Sequence, residues 1–117
     1  SETNADMREL MKIEDTDKRA KEPIELFCYQ TKKWIGSYAA VLGGLDTLVF
    51  SGGIGEHSPE VRSKICDNLE FLGIELDEIK NMNNEPVISA EISKVQVRVI
   101  KTNAELMIAK LVRNFLH

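Results

Sequence analysis

The sequence has little cysteine and proline, no excess of positive charge and no long apolar run. Its 117 residues carry a formal net charge of -4. Nonspecific binding to nucleic acids or membrane surfaces favours a basic face, so this balance argues against both kinds of partner. A bilayer span needs about 18 consecutive apolar residues, and no run approaches that length. The stretch SETNADMREL lacks the basic and apolar segments of a secretory signal, so none is predicted.

The two cysteines, Cys28 and Cys66, do not form a CxxC motif. Both fall within apolar patterns of helical spacing. This placement predicts buried free thiols rather than a disulfide or a metal site. Free thiols are typical of a reducing compartment, which favours the cytoplasm.

What the sequence does contain is the hydrophobic periodicity of a single α/β domain spanning residues 1–117. The predicted helices cover residues 5–14 (with Asn4 as N-cap), 23–42, 58–72 and 102–116. The predicted strands cover residues 46–52, 95–100 and, weakly, 86–90. Residues 74–85 are predicted to form a turn and surface loop. Two or three strands make a thin sheet, so we expect this one to belong to a larger protein.

Local signals mark several of these boundaries. Gly43 and Gly44 are expected to end the long helix, because a left-handed residue closes many helices. Ser58 followed by Pro59 is a typical N-cap and first helical position. Thr102 or Asn103 is expected to cap the last helix. Residues 46–52 have a continuous apolar centre, which predicts a strand buried on both faces.

The stretch SGGIGEH, between a predicted strand and a predicted helix, has three glycines within four residues. Such a turn lets a backbone approach a phosphate closely, and ligands gather at this end of strands in open α/β sheets. The spacing matches neither GxxxxGK[ST] nor GxGxxG. A tight turn without a ligand therefore remains an alternative. Glu56 and His57 alone make a weak metal site, because no further His or Cys lies nearby.

The block GGLDTLVFSGGIGEHSPEVRSKICDNLEFLGIELD closely resembles the late part of acetate kinases, which move phosphate between ATP and acetate. The segments ADMREL, YQTKKWIGSYAAVLGGLD and VRVIKTNAELMIAK resemble other parts of the same family in the same order. The resemblance implies part of a ribonuclease-H-like (actin-like) ATPase fold, which this family shares with sugar kinases, heat-shock chaperones and actin. It also implies a homodimer.

The resemblance carries specific residues with it. The family turn, usually GIGEN, contacts ATP, which implicates Gly53, Ile54, Gly55, Glu56 and His57. The last of these is usually asparagine in the family. The family's Asp-x-Arg segment also lies at the nucleotide site, which implicates Asp6, Met7 and Arg8. A planar guanidinium at position 8 is suited to stacking on or bonding to the adenosine.

The family motif TNEEL carries a magnesium-associated carboxylate at its first glutamate. Here that place is Ala104, and the carboxylate falls one position later, at Glu105. One residue along a helix turns the side chain by about 100°, so Glu105 is a metal candidate only if the chain shifts locally. A surface acid is the alternative.

The catalytic groups that the resemblance implies come from earlier parts of the family's sequence, and none aligns here. We therefore expect the ATP-binding C-terminal part of an acetate kinase, forming acetyl phosphate and ADP in the full enzyme but inactive alone. Its expected cofactors are ATP and Mg²⁺, and its partner substrates are acetate or acetyl phosphate. Alternatives are a propionate or butyrate kinase fragment, a non-catalytic nucleotide-binding module, and a structural domain.

Overall fold

The protein is described by a computed structural model that covers residues 8–14 and 23–114. In this part of the chain, strands and helices alternate around one sheet. The strands are β1 (Arg8–Glu14), β2 (Thr47–Ser51), β3 (Gln96–Ile100) and β4 (Ile108–Asn114). The helices are α1 (Ile24–Leu42), α2 (Gly53–His57), α3 (Pro59–Cys66) and α4 (Glu78–Met82). The predicted α/β class is confirmed.

The sheet has four strands in the order β1-β4-β2-β3, whereas the sequence predicted two or three. Only β2 and β3 run parallel, and β4 is antiparallel to both β1 and β2. The carboxyl ends of β2 and β3 therefore meet at one edge of the sheet, and the glycine-rich stretch follows β2 at that edge.

Three elements agree with the sequence prediction. Helix α1 ends at Gly43, whose φ of 79° is left-handed. Strand β2 has its last four residues buried, as expected for a strand covered on both faces. Helix α3 begins after Ser58, whose hydroxyl accepts the N–H of Val61 at 3.2 Å, with Pro59 at the first helical position.

The predicted first helix, residues 5–14, is wrong where the structure describes it, because Arg8–Glu14 forms strand β1. Asn4 and residues 5–7 lie outside the described residues. All seven residues of β1 pair with β4, from Arg8 opposite Asn114 to Glu14 opposite Ile108. Helix propensities differ by less than about 1 kcal/mol per ordinary residue, so a seven-residue ladder with a distant segment overrides them.

The predicted last helix, residues 102–116, is also wrong within the described residues. Ile108–Asn114 forms β4, which fills the sheet between β1 and β2 and hydrogen-bonds on both sides. A short apolar run fits a buried helix or a strand almost equally well, so periodicity alone did not decide. Thr102 caps a local turn instead of a helix, because its hydroxyl accepts the N–H of Ala104 at 3.1 Å.

The middle of the chain differs in detail. The helix predicted over residues 58–72 stops at Cys66, because the backbone of Asp67 is extended, with a ψ of 134°. Asn68 then has a φ of 65°, and a 3₁₀ turn at Glu70–Leu72 follows. The loop predicted over residues 74–85 contains α4, whose N-terminus is capped by the carboxylate of Asp77. The weak strand predicted over residues 86–90 is reduced to two isolated bridges.

The core lies between the helices and the sheet. It is formed mainly by large apolar side chains that are almost completely buried, among them Phe27, Ile35, Leu48, Phe50, Ile65, Ile74, Val97, Met107 and Leu111. Both free cysteines belong to the same cluster. Within the described residues, the structure has no helix long and apolar enough to cross a membrane.

Candidate functional site

The glycine turn, Gly52–His57, directly follows β2 and consists of Gly52 and the short helix α2. Gly52 and Gly53 have φ values of 71° and 47°, which side chains other than glycine rarely adopt. The chain turns sharply here and passes through Ser58 into α3. The stretch therefore lies at the edge where the parallel strands β2 and β3 end.

A neighbouring backbone lies against the glycine turn. A Cβ atom at position 52 would overlap the carbonyl oxygen of Leu106, and one at position 53 would lie 2.6 Å from the carbonyl oxygen of Glu105. The N–H of Gly53 donates to the carbonyl of Ala104 at 3.2 Å. On this side of the turn, the glycines are explained by the close approach of residues 104–107.

Glu56 links the turn to the end of β3. Its side chain is 7% exposed, and its Oε1 atom accepts the N–H groups of Gly52 at 3.3 Å and Thr102 at 3.0 Å. This carboxylate is therefore a structural acceptor inside the turn. His57 is different, because its side chain is 74% exposed, with Nε2 at 3.8 Å from Oε2 of Glu56.

A cavity of about 290 Å³ lies beside the turn. It is lined by Glu56, His57, Asn84, Val99 and Lys101. Val99 belongs to β3 and Lys101 directly follows it, so the cavity lies beyond the carboxyl end of a parallel strand. Ligands of open α/β sheets are usually found in this position. An exposed imidazole and an ammonium group give it donors suited to an anionic ligand.

Arg62 anchors the turn from inside the protein. It is fully buried, although it carries a charged group. Its Nη1 donates to the carbonyl oxygens of Gly55 at 3.0 Å and Glu56 at 2.9 Å. The other side of the guanidinium holds the last turn of α4 and Asn84, which follows that helix. Nε bonds to Oδ1 of Asn81 at 2.8 Å, and Nη2 bonds to the Asn81 carbonyl at 2.9 Å and to Oδ1 of Asn84 at 2.6 Å. Burial lowers the pKa of Arg62 from its ordinary value.

Sequence reasoning did not identify Arg62. The available signal was its position on α3, where it shares the core-facing side with Ile65 and Cys66 at spacings of three and four. A charged residue in an apolar stripe is rarely fully buried unless its hydrogen bonds are satisfied. Lys101 and Asn84 were also missed, because nothing local in the sequence indicates that they approach the turn.

The predicted site residues are only partly brought together. Gly53, Ile54, Gly55, Glu56 and His57 form one continuous turn. Glu105, predicted as a metal ligand, lies in the segment packed against this turn, and its side chain is exposed.

Of the Asp-x-Arg segment, the structure describes only Arg8. Asp6 and Met7 lie outside the described residues. Arg8 begins β1, which is separated from β2 by β4. No group of three or more His, Cys, Asp or Glu side chains suited to a metal ion occurs in the described part of the chain.

Comparisons with known proteins show the family of the chain. The model of the acetokinase family matches residues 1–110. An acetate kinase of Coprothermobacter proteolyticus is 56% identical over 95 residues, which cover 80% of this chain and 24% of that protein. The chain therefore spans about a quarter of the length of this curated relative.

Two solved structures share the fold. The crystal structure of Porphyromonas gingivalis acetate kinase matches with a TM-score of 0.65 and 41% identity, over 76% of this chain and 23% of that one. A propionate kinase from Francisella tularensis matches with a TM-score of 0.63 and 40% identity, over the same shares.

Proposed function

The chain belongs to the acetokinase family, and from this we propose that it supplies the nucleotide-binding part of an enzyme that transfers phosphate between ATP and acetate. The products in that direction are ADP and acetyl phosphate. The observation that carries the proposal is the glycine turn beside a cavity, beyond the carboxyl ends of the parallel strands β2 and β3.

The proposed nucleotide contacts are the five residues of Gly53–His57, which the family resemblance implicates. Gly53, Ile54 and Gly55 would contribute backbone, and His57 would contribute an exposed imidazole. Glu56 would act through its position in the turn, since its Oε1 atom already accepts two N–H groups. Asp6, Met7 and Arg8 remain proposed contacts on the basis of the resemblance alone.

Magnesium is proposed to arrive with the nucleotide. The described residues do not form a metal site by themselves. Magnesium is often held by one or two carboxylates together with substrate phosphates. Glu105 is our proposal for one such carboxylate, because its backbone lies against the glycine turn and its side chain is exposed.

In the proposed mechanism, the residues of this chain bind and orient the nucleotide. Phosphoryl transfer depends on positioning and on charge stabilisation around the moving phosphate. The family's acid, arginines and histidine for the carboxylate side have no counterparts in this sequence. We therefore expect the isolated chain to bind ATP without turning over acetate. In the whole enzyme, a second lobe would close over the substrates and exclude water.

The remaining parts of the proposal concern the whole enzyme. We propose that it acts in the cytoplasm and forms a homodimer. Acetate is the first choice of acceptor because a curated relative that is 56% identical is named acetate kinase. Propionate is the second choice, because a propionate kinase shares the fold at 40% identity.

A second candidate is a structural module without a nucleotide. The observation in its favour is the backbone of residues 104–107, whose close approach requires Gly52 and Gly53 even when no ligand is present. A nucleotide titration separates the two candidates.

The test is a calorimetric titration of the folded chain with ATP, with and without magnesium. We expect saturable binding that weakens several-fold in Lys101→Ala, because Lys101 lines the cavity. Lys94→Ala is the matched control, since Lys94 is exposed on a different cavity. A folded chain that binds no ATP would refute the proposal. Equal ATP affinities of Lys101→Ala and Lys94→Ala would show that ATP does not bind in this cavity.

A further inference from the structure

The guanidinium of Arg62 is buried without a carboxylate partner. All five of its hydrogen bonds go to neutral oxygens, three carbonyl oxygens and two asparagine amide oxygens. An arginine side chain has five N–H donors, so its hydrogen-bonding capacity is complete while its charge is not neutralised. No ion pair of Arg62 occurs among the side chains that the structure describes at residues 23–114.

Two carboxylates belong to the surrounding hydrogen-bonded cluster, but both are bonded to other groups. Oε1 of Glu56 accepts the N–H groups of Gly52 and Thr102. Oε1 of Glu78 accepts from the hydroxyl of Ser63 at 2.7 Å and from Nδ2 of Asn81 at 3.3 Å. Neither carboxylate forms an ion pair with Arg62, so the guanidinium has no contacting counter-ion among the described side chains of residues 23–114.

An arrangement of this kind is unfavourable for folding alone. Moving an ion out of water costs several kcal/mol even after relaxation, and well-packed apolar side chains often replace buried charges without loss. The hydrogen bonds from the guanidinium to neutral oxygens offset part of this cost, but they do not neutralise the charge. The stability of the fold therefore does not explain why a charged side chain occupies this buried position.

The location of the guanidinium supplies that explanation. Nη1 holds the carbonyl oxygens of Gly55 and Glu56, which belong to the glycine turn. Nη2 holds Asn84, which lines the same cavity as His57. The positive charge thus lies between the back of the turn and the wall of the cavity, where it favours an anion in front of the turn.

Resting on the proposed nucleotide-binding function, we propose that Arg62 is a positioning residue that fixes the glycine turn and supplies an uncompensated positive charge for the phosphates of the nucleotide. It does not touch the ligand. Its effect on binding therefore increases with the negative charge of the ligand and is nearly absent for an uncharged nucleoside.

The first test compares four ligands that differ in phosphate charge: ATP, ADP, AMP and adenosine. Each is titrated against the unchanged chain and the variants Arg62→Lys and Arg62→Gln. For Arg62→Gln we expect ATP affinity to fall about tenfold, with progressively smaller losses for ADP and AMP and less than about twofold for adenosine. Arg62→Lys keeps the charge and is expected to recover most of the ATP affinity. A merely structural role would weaken all four ligands equally.

A second variant keeps Arg62 and pairs its positive charge with a carboxylate. Asn84→Asp replaces an amide oxygen bonded to the guanidinium with a carboxylate, so it adds the missing counter-ion. We expect a higher melting temperature together with an ATP affinity that is about tenfold lower. Asn83→Asp is the matched control, because it adds the same charge to the neighbouring exposed residue, for which the structure shows no bond to Arg62. Because Asn84 also lines the cavity, Asn84→Asp is repeated in the Arg62→Gln background, where its effect is expected to shrink.

The outcomes separate this inference from the proposed function. If the unchanged chain binds ATP but the Arg62 variants lose all four ligands equally, or lose none, the inference is overturned and the proposed function stands. If Arg62→Gln does not fold, an ATP affinity of Asn84→Asp equal to that of Asn83→Asp overturns it. If the folded unchanged chain binds no nucleotide, the proposed function fails and this inference fails with it.

Discussion

Oε1 of Glu56 accepts the backbone N–H of Thr102 at 3.0 Å, which joins the glycine turn to the segment that follows β3. The same oxygen accepts the N–H of Gly52 at 3.3 Å. One buried carboxylate therefore holds together two chain segments that are 46 residues apart. The shape of the candidate site depends on this link as much as on the glycines.

The first prediction concerns this carboxylate. Glu56→Ala leaves the buried N–H of Gly52 without an acceptor, so we expect the free energy of unfolding to fall by about 1–3 kcal/mol. Glu56→Gln retains an amide oxygen that can accept, and should lose less. Urea unfolding followed by circular dichroism gives both values. Glu91→Ala serves as the exposed control, expected within about 0.5 kcal/mol; a Glu56→Ala value equal to the control would contradict the structural role.

The second prediction concerns the glycines of the turn. Gly52→Ala places a side chain at a φ of 71° and against the carbonyl oxygen of Leu106. We expect a loss of more than about 2 kcal/mol in the free energy of unfolding, from backbone strain and overlap together. Denaturant unfolding of the purified variant measures it.

Gly36→Ala provides the matched control for that loss. Gly36 lies within α1, and a Cβ there would meet nothing within 4 Å. Alanine is favoured over glycine in a helix interior, so this variant should gain about 0.5–1 kcal/mol. The close approach of residues 104–107 would be refuted if Gly52→Ala were at least as stable as the unchanged chain.

The sequence predicted correctly the features that depend on neighbouring residues and failed for those that depend on residues distant in the chain. The end of α1 at Gly43 and the cap of α3 at Ser58 are local, so a few neighbouring residues determine them. Strands β1 and β4 were predicted as helices, because their state depends on pairing between residues about a hundred positions apart. Local periodicity contains no information about such a partner.

The candidate site shows the same division. The glycine turn was predicted from three glycines and the helix cap that follows them. The family resemblance suggested ATP as its ligand. What packs against the turn could not be predicted, because residues 104–107 approach it only through the folded sheet. Arg62 was missed for the same reason, since its acceptors Asn81 and Asn84 lie on a segment about 20 residues away.

The third prediction tests the cap of α3. The Ser58 hydroxyl accepts the N–H of Val61, and replacing an N-cap serine by alanine typically costs about 1 kcal/mol. We expect that loss for Ser58→Ala in the thermal or urea unfolding of the chain. Ser37→Ala changes an exposed serine inside α1, where alanine has the higher helix propensity. The cap assignment would fail if Ser58→Ala were as stable as Ser37→Ala.

The last prediction concerns alkaline pH. Burial raises the pKa of the Cys66 thiol to about 12, from an ordinary value of 9.0. Between these two values, the folded chain retains a proton that the unfolded chain releases. Stability due to this proton is therefore fully present below pH 9 and is lost as the pH rises toward 12, by about 1.4 kcal/mol per pH unit.

Cys66→Ala isolates this effect from the titration of other groups. The variant is expected to be less stable at pH 7, because it leaves a space in the core, but its free energy of unfolding should fall less steeply above pH 9. Burial also raises the pKa of Cys28, so part of the alkaline loss remains in the variant. Urea unfolding at pH 8, 9 and 10 gives the two slopes. Parallel slopes for the two proteins would show that the thiol of Cys66 ionises as easily in the folded chain as in the unfolded one.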